Sequence, residues 1–280
     1  MHYLRPKDLS DALSALAYEE WRVAAGCTDL FPATEAKTLP GRVLDITDIE
    51  DLRGIRATED GWSIGATTTW TDLIRADLPP AFRSLQLAAR EVGATQIQNR
   101  GTLAGNLCNA SPAADGVPPL QTLEAEVELR SARGVRRVPL AAFLLGPRQT
   151  DRRSDELLTA VHIPAEAAKG RGHFLKLGAR RYLVISIAMC AVRLECQGGI
   201  VTAAALSVGA CGPVAARLPL VEAALVGHPP DPDRVRQMDV GEALRPIEDV
   251  RADAGFRTAA ATELVRRCVG ALAGREAAAA

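Results

Sequence analysis

At 280 residues, with 48% hydrophobic and 24% charged residues, the chain has ordinary globular composition and the length of two domains rather than one or three. Its 33 basic and 34 acidic residues nearly cancel, and no Lys/Arg stripe with interleaved aromatics is present, so nucleic acid is not an expected partner. The longest apolar stretch, Tyr182 to Val192, is about half the roughly 20 residues needed to cross a bilayer; no membrane span is expected, and the stretch reads as a buried strand.

Residues 1 to 20 carry Asp8, Asp11, Glu19 and Glu20 where a secretory signal needs uninterrupted apolar residues, so a cytoplasmic location is expected. Leu9, Leu13 and Leu16 recur at helical spacing behind the candidate N-caps Asp8 and Ser10. Strands are predicted at Trp21 to Ala25 and Val43 to Thr47, and a hairpin joins Ile55 to Thr58 with Trp62 to Gly65 around Glu59-Asp60-Gly61. Helical periodicity returns from Ala81 to Val92. Gly93 to Pro119 is then non-periodic and rich in Gly, Asn, Ser and Pro, and a loop that long inside a compact domain is usually functional.

A second hairpin is predicted at Ala125 to Arg130 and Gly134 to Leu140, followed by an alternating strand from Leu157 to Ile163 closed by Pro164. Ala165 to Gly172 (AEAAKGRG) reads as a domain boundary. Beyond it, Tyr182 to Glu195 and Ile200 to Val208 read as a long antiparallel pair joined through Gln197-Gly198-Gly199, with helices near Leu218 to Val226, Asp231 to Ala243 and Gly255 to Leu272 and a short alanine tail. The predicted class is α+β, the second domain being a small antiparallel sheet covered by helices.

The six cysteines, Cys27, Cys108, Cys190, Cys196, Cys211 and Cys268, are scattered without a Cys-x-x-Cys pair and read as free thiols. The four histidines lie far apart with no His-x-x-x-His pairing, so no metal site is predicted. Neither Gly-x-Gly-x-x-Gly nor a Walker loop occurs, and no nucleophile motif accompanies the histidines. A Rossmann dehydrogenase and a hydrolytic triad are therefore disfavoured, and no side chain is assigned an acid, base or nucleophile role.

Two segments carry the candidate chemistry. Residues 22 to 30 (RVAAGCTDL) run an apolar strand into a small-residue turn, and residues 96 to 115 read QIQNRGTLAGNLCNASPAAD. Small residues let a backbone approach a ligand closely, and consecutive peptide N–H groups in a tight turn form a concave anion site suited to a pyrophosphate. Thr102, Asn106 and Ser111 add neutral hydrogen-bonding groups, and Asp115 is placed to accept from ribose hydroxyls or an adenine amine.

The order AGCTDL (25 to 30), QIQNRGTLAGNLCNASPAAD (96 to 115), a strand ending in Ile163-Pro164 and KLGARRYLVISIAMCAV (176 to 192) resembles the FAD-binding medium subunit of the molybdenum hydroxylases, the xanthine dehydrogenase and carbon monoxide dehydrogenase family. The resemblance spans nearly the whole chain. It implies a bipartite FAD-binding domain of the vanillyl-alcohol-oxidase (PCMH) type over residues 1–168, with subdomains of about 1–55 and 56–168. A C-terminal α+β domain like that of the CO dehydrogenase flavoprotein would follow over 169–280. By matched position, Ala25, Gly26, Cys27, Thr28, Asp29 and Leu30 would form the first phosphate loop, and Thr102, Ala104, Gly105 and Asn106 the second. Ser111 would assist, Asp115 would hold the ribose or adenine end, Leu158 would pack on the flavin system, and Lys176 would belong to a basic element with Arg180 and Arg181 near the domain junction.

Two positions depart from the family pattern, which has Gly-Gly in place of Gly26-Cys27 and again in place of Ala104-Gly105. An L-residue held at positive φ costs about 1 to 2 kcal/mol, so weaker FAD retention is expected wherever that conformation is required. Tyr182-Leu183-Val184-Ile185 lacks the acidic pair of animal xanthine dehydrogenases, and no cysteine-rich insertion is present. A bacterial three-subunit relative with FAD as this chain's only redox centre fits best.

The resemblance implies a relay. A large molybdopterin subunit would hydroxylate the substrate, a small subunit would carry iron-sulfur clusters, and FAD on this chain would pass electrons to NAD or another acceptor, in a dimer of heterotrimers. Two rivals are a stand-alone flavin oxidase or dehydrogenase of the same FAD-binding superfamily, and an assembly subunit without FAD. The first rival requires its own acid-base residues and usually a larger substrate domain.

Overall fold

The computed structural model describes residues 2–35, 39 and 41–274; the alanine tail lies outside the described residues. The chain opens with β1 (His2–Leu4), α1 (Leu9–Tyr18), β2 (Arg22–Ala24) and β3 (Arg42–Asp45), the strands forming a parallel sheet in the order β1-β3-β2. Asp8 is the extended residue preceding α1. Residues four apart share one helical face, so Ala12 and Leu16 of α1 enter a core with Leu44, Ile46, Ile49, Leu52 and Leu157.

The middle of the chain contributes β4 (Ile55–Thr58), β5 (Gly61–Gly65), α2 (Trp70–Arg75), α3 (Arg83–Glu91), α4 (Thr95–Gln98), α5 (Leu103–Asn109) and α6 (Val117–Thr122). After these come β6 (Glu126–Ser131), β7 (Gly134–Pro139), α7 (Leu140–Phe143), the short pair β8 (Leu144–Gly146) and β9 (Gln149–Thr150), and β10 (Leu157–Pro164). Five strands form an antiparallel sheet in the order β4-β5-β10-β6-β7. Because side chains alternate along a strand, Ile64, Val127, Leu129, Val161 and Ile163 face a core shared with Trp70, Phe82, Leu85, Leu103, Leu107 and Leu120.

Both hairpins and the closing strand lie where the sequence pattern puts them. Residues 93–119, expected as one loop, instead contain α4, α5 and the start of α6. These helices span four to seven residues, two turns at most, so no apolar repeat could declare them in the sequence.

The remaining elements are β11 (Arg171–Leu177), β12 (Ala188–Gln197), β13 (Ile200–Gly209), β14 (Ala216–Arg217), α8 (Pro219–Leu225), α9 (Gln237–Ala243) and α10 (Ala254–Ala273). The four strands make an antiparallel sheet in that order, and the helices close a core that includes Val192, Leu206, Val221, Val240, Leu264 and Val269. The strand expected from Tyr182 begins only at Ala188. Between β11 and β12 the chain leaves the sheet, with Leu183 at φ 51° and Arg180 Nε donating to Leu183 O at 3.0 Å.

The two sheets meet across α3 and α6, which pack on β11, β12 and β13. Ala88 joins Phe174, Met189, Ala191 and Ala210 in an apolar cluster across the junction. Buried polar bonds accompany it: Gln121 Nε2 donates to Ala215 O at 3.0 Å, Ser207 Oγ to Gln121 Oε1 at 2.6 Å, and Arg193 Nε to Thr122 O at 2.8 Å. Among the described residues no helix is long and apolar enough to cross a membrane, and no group of three His, Cys, Asp or Glu residues is placed to hold a metal ion.

Candidate functional site

The first segment begins where β2 ends. Ala25 to Leu30 form a tight turn in which Cys27 adopts φ 59°. Leu30 and Cys27 anchor the turn against Ala24, Leu39 and Val43, while the Cys27 and Asp29 carbonyls accept from Phe31 N at 3.3 Å and Ala33 N at 3.1 Å. The amides of Gly26 to Leu30 donate to no acceptor among the described residues. A run of adjacent peptide donors in a turn of this type makes an anion-binding concavity. Burial pushes the Cys27 thiol up from its ordinary value, which keeps it protonated and uncharged.

The second segment lies against the first. A Cβ built on Gly26 would sit 2.0 Å from Arg100 O and 2.8 Å from Gly101 Cα, and one on Gly101 would sit 3.3 Å from Thr28 Oγ1. Glycine is therefore required at position 26 for the two backbones to touch. Thr102 caps α5, accepting from Gly105 N at 3.1 Å, and its Leu103 neighbour donates main-chain to Thr68 O at 3.0 Å. Ala104 is helical and its methyl is buried in the middle core. Of the two positions that depart from the family pattern, only Cys27 meets the positive-φ condition.

Asn106 Oδ1 is buried and has no hydrogen-bond partner. Such an acceptor in a native interior calls for a donor, and Gly116 keeps room for it, since a Cβ there would lie 2.9 Å from this oxygen. Trp70, fully buried at the start of α2, runs beneath the segment: its Cδ1 lies 3.2 Å from the Cβ position of Gly101 and its Cη2 2.7 Å from that of Gly116. Further along, Ser111 Oγ accepts from Ala113 N at 3.2 Å in a short side-chain turn.

Asp115 sits at the junction of the two sheets. Its Oδ2 accepts from Lys176 Nζ at 2.7 Å and its Oδ1 from Ser186 Oγ at 2.6 Å. The Lys176 and Asp115 side chains are 6% and 8% exposed, so the pair is taken out of water. Burial pushes the Asp115 carboxyl up, against the opposing pull of Lys176 and Ser186. Each carboxylate oxygen keeps a second lone pair for one further donor. Lys176 also lines a cleft of about 300 Å³ with Glu91, Arg180, Arg181 and Val184.

Leu158, expected to pack on a flavin, turns its side chain into the interior. At 2% exposed it belongs to the core behind the site and offers a ligand no face. The structure thus brings residues 25–30 against 100–102 and ties Asp115 to Lys176, while Leu158 stands behind. Trp70 and Ser186 were missed by the sequence reading. The Thr67-Thr68-Thr69-Trp70 run after β5 was the available signal for the first; nothing local marks the second, because its partner lies 71 residues away.

The unpaired amides of the first turn and the glycine contact fit the diphosphate of a dinucleotide, while the orphaned Asn106 oxygen, an acceptor, suits a donor elsewhere on such a ligand, such as a ribose hydroxyl. Residues 1–166 match the family model of the FAD binding domain in molybdopterin dehydrogenase, and residues 173–272 that of the CO dehydrogenase flavoprotein C-terminal domain. The chain is 34% identical over 221 residues to the xanthine dehydrogenase FAD-binding subunit of Escherichia coli O157:H7, covering 77% of this chain and 75% of that one. It is 30% identical over 275 residues to the carbon monoxide dehydrogenase medium chain of Hydrogenophaga pseudoflava, covering 96% of each. Among solved structures, carbon monoxide dehydrogenase from Hydrogenophaga pseudoflava superposes with a TM-score of 0.88 at 29% identity over 98% of both chains. Quinoline 2-oxidoreductase from Pseudomonas putida 86 gives 0.87 at 26% identity, over 98% of this chain and 97% of that one. One turn rich in free peptide donors packed against a second glycine-bearing segment, and family models that together span almost the full length, place this chain among the FAD-binding medium subunits of the molybdenum hydroxylases of the xanthine and carbon monoxide dehydrogenase type.

Proposed function

We propose that this chain is the flavin relay of a three-subunit molybdenum hydroxylase, taking electrons from iron-sulfur clusters on a small subunit and delivering them to NAD or another acceptor. Substrate hydroxylation then belongs to a large molybdopterin subunit, in a cytoplasmic complex built as a dimer of heterotrimers. The division of labour follows residues 1–168 and 169–280, the first part holding the cofactor and the second closing the site. The relatives named as FAD-binding subunits and medium chains support this reading. The observation that carries it is the approach of Gly26 to Arg100 and Gly101.

When bound, FAD supplies the exchange between one-electron and two-electron carriers; the protein supplies binding, orientation and electrostatics. In this proposal the turn from Ala25 to Leu30 donates its peptide N–H groups to the diphosphate. Thr102, Gly105 and Asn106 complete the cradle from the facing segment, with Ala104 packed beneath. Ser111 and Asp115 meet the remaining polar groups of the ligand. Lys176 pulls against the burial that pushes the Asp115 carboxyl up, and lines the adjoining cleft.

The test is the visible spectrum of the protein purified from cells, followed by release and identification of the chromophore. Bound FAD together with co-purifying iron-sulfur and molybdopterin subunits supports the relay. Bound FAD on a chain that oxidises a substrate alone supports the stand-alone oxidase, and a colourless chain that FAD cannot reconstitute supports the assembly subunit.

A further inference from the structure

The tip of the β8–β9 hairpin is strained at a residue whose side chain reaches the second cofactor segment. Gly146 pairs with Gln149, so Pro147 and Arg148 occupy the two central positions of the turn. Arg148 adopts φ 61°, and a turn with proline first and a left-handed second residue favours Gly or Asn there. Facing it, α5 ends on Ala110 at φ 45°, a C-terminal position that also favours Gly. The two residues are bonded to each other. Arg148 N donates to Ala110 O at 2.8 Å, and Arg148 Nη1 donates to Asn109 O at 3.3 Å and to the Asn109 side-chain oxygen.

Ala110 is the joint of the second segment: Thr102 to Asn106 precede it, and Ser111 to Asp115 follow. Non-glycine residues kept in left-handed conformations persist where their surroundings over-determine them, and such sites cluster at ligand clamps. A glycine at 148 would serve the turn without strain but would bring no guanidinium to Asn109. We infer that Arg148 is a positioning residue for the cofactor, fixing the angle at Ala110 so that both halves of the segment address the same ligand. The inference rests on the FAD reading above.

FAD titration of the apoprotein, followed by flavin fluorescence beside thermal melting, tests it. Arg148→Gly is expected to keep or raise the melting temperature, because the turn relaxes, while FAD affinity falls about tenfold, the equivalent of about 1.4 kcal/mol. Arg148→Lys, which retains a cationic donor, is expected to recover part of that loss. Arg148→Asn, whose residue type tolerates the left-handed region, is expected to follow Arg148→Gly. Wild-type affinity in Arg148→Gly, or affinity lost only in step with melting temperature in both the Gly and Asn variants, overturns the inference. A parent protein that binds no FAD overturns the cofactor reading and this inference with it.

Discussion

Gly26 and Cys27 are neighbours in one turn under opposite constraints. At Gly26 the limit is space: a methyl would land 2.0 Å from Arg100 O, and the backbone cannot yield cheaply. Gly26→Ala is expected to separate the two segments, destabilise the fold by about 1 to 3 kcal/mol and abolish FAD binding in a fluorescence titration. At Cys27 the limit is torsional, since φ is 59°. Cys27→Gly removes a cost of about 1 to 2 kcal/mol and returns about 0.4 to 1 kcal/mol through the freer unfolded chain. A small net gain in urea-unfolding stability and tighter FAD retention are expected; weaker retention would place the Cys27 side chain, not its backbone, in charge of the turn. The need for small residues at 25–30 was legible in the sequence. Which carbonyl Gly26 meets was not, because Arg100 is brought there by tertiary packing alone.

At the scale of elements, the turn after β11 is organised by one buried pair. Lys176 on β11 and Asp115 ahead of α6 hold each other at 2.7 Å, with Ser186 completing the carboxylate. Breaking a buried pair from one side strands the other charge, at a cost of about 3 to 5 kcal/mol. Lys176→Met is expected to show that loss in urea unfolding, and adding Asp115→Asn to recover most of it, since a neutral amide oxygen still accepts from Ser186.

The pH dependence follows from the upward displacement of the Asp115 carboxyl by burial. Without Lys176 only the Ser186 hydrogen bond opposes this, so the native state binds a proton that the unfolded chain releases above about pH 3.9. The deficit of Lys176→Met relative to the parent is then smallest at the acid end and grows as pH rises through the raised value. A pH-independent deficit would assign Lys176 a packing role only. The same tie explains an error of the sequence reading: Tyr182 to Ile187 are apolar enough for a strand, but Ser186 is held by Asp115 and Leu183 turns left-handed. Hairpins with a clear two-residue alternation were legible; helices of one or two turns were not, because their periodicity has no room to repeat.

Across the whole molecule, the α+β class expected from the alternation of elements is the class observed, and the change of pattern near Ala165 to Gly172 is the sequence feature from which a division into two halves is proposed. The parallel sheet at the N-terminus escaped notice because β1 and β2 are three residues each and parallel pairing leaves no hairpin signal. The halves share buried polar bonds at Gln121, Ser207 and Arg193 as well as the apolar cluster around Phe174 and Met189. A satisfied buried network of this kind couples its elements. Calorimetry is expected to show one cooperative unfolding transition for the parent protein and two resolved transitions for an Arg193→Met, Gln121→Ala double variant; a single transition in that variant would mean that the apolar cluster alone welds the halves.

The contact between Gly26 and Arg100 has a consequence for biosynthesis. Its two sides are far apart in the chain, and the closure entropy of such long-range pairings has to be met before they return any stability. A nascent chain in which residues 96 to 115 are still to be made carries one side of the cradle and no grip on a flavin. Flavin loading therefore has to wait until both segments have been made and packed against each other, whatever the state of the rest of the polypeptide.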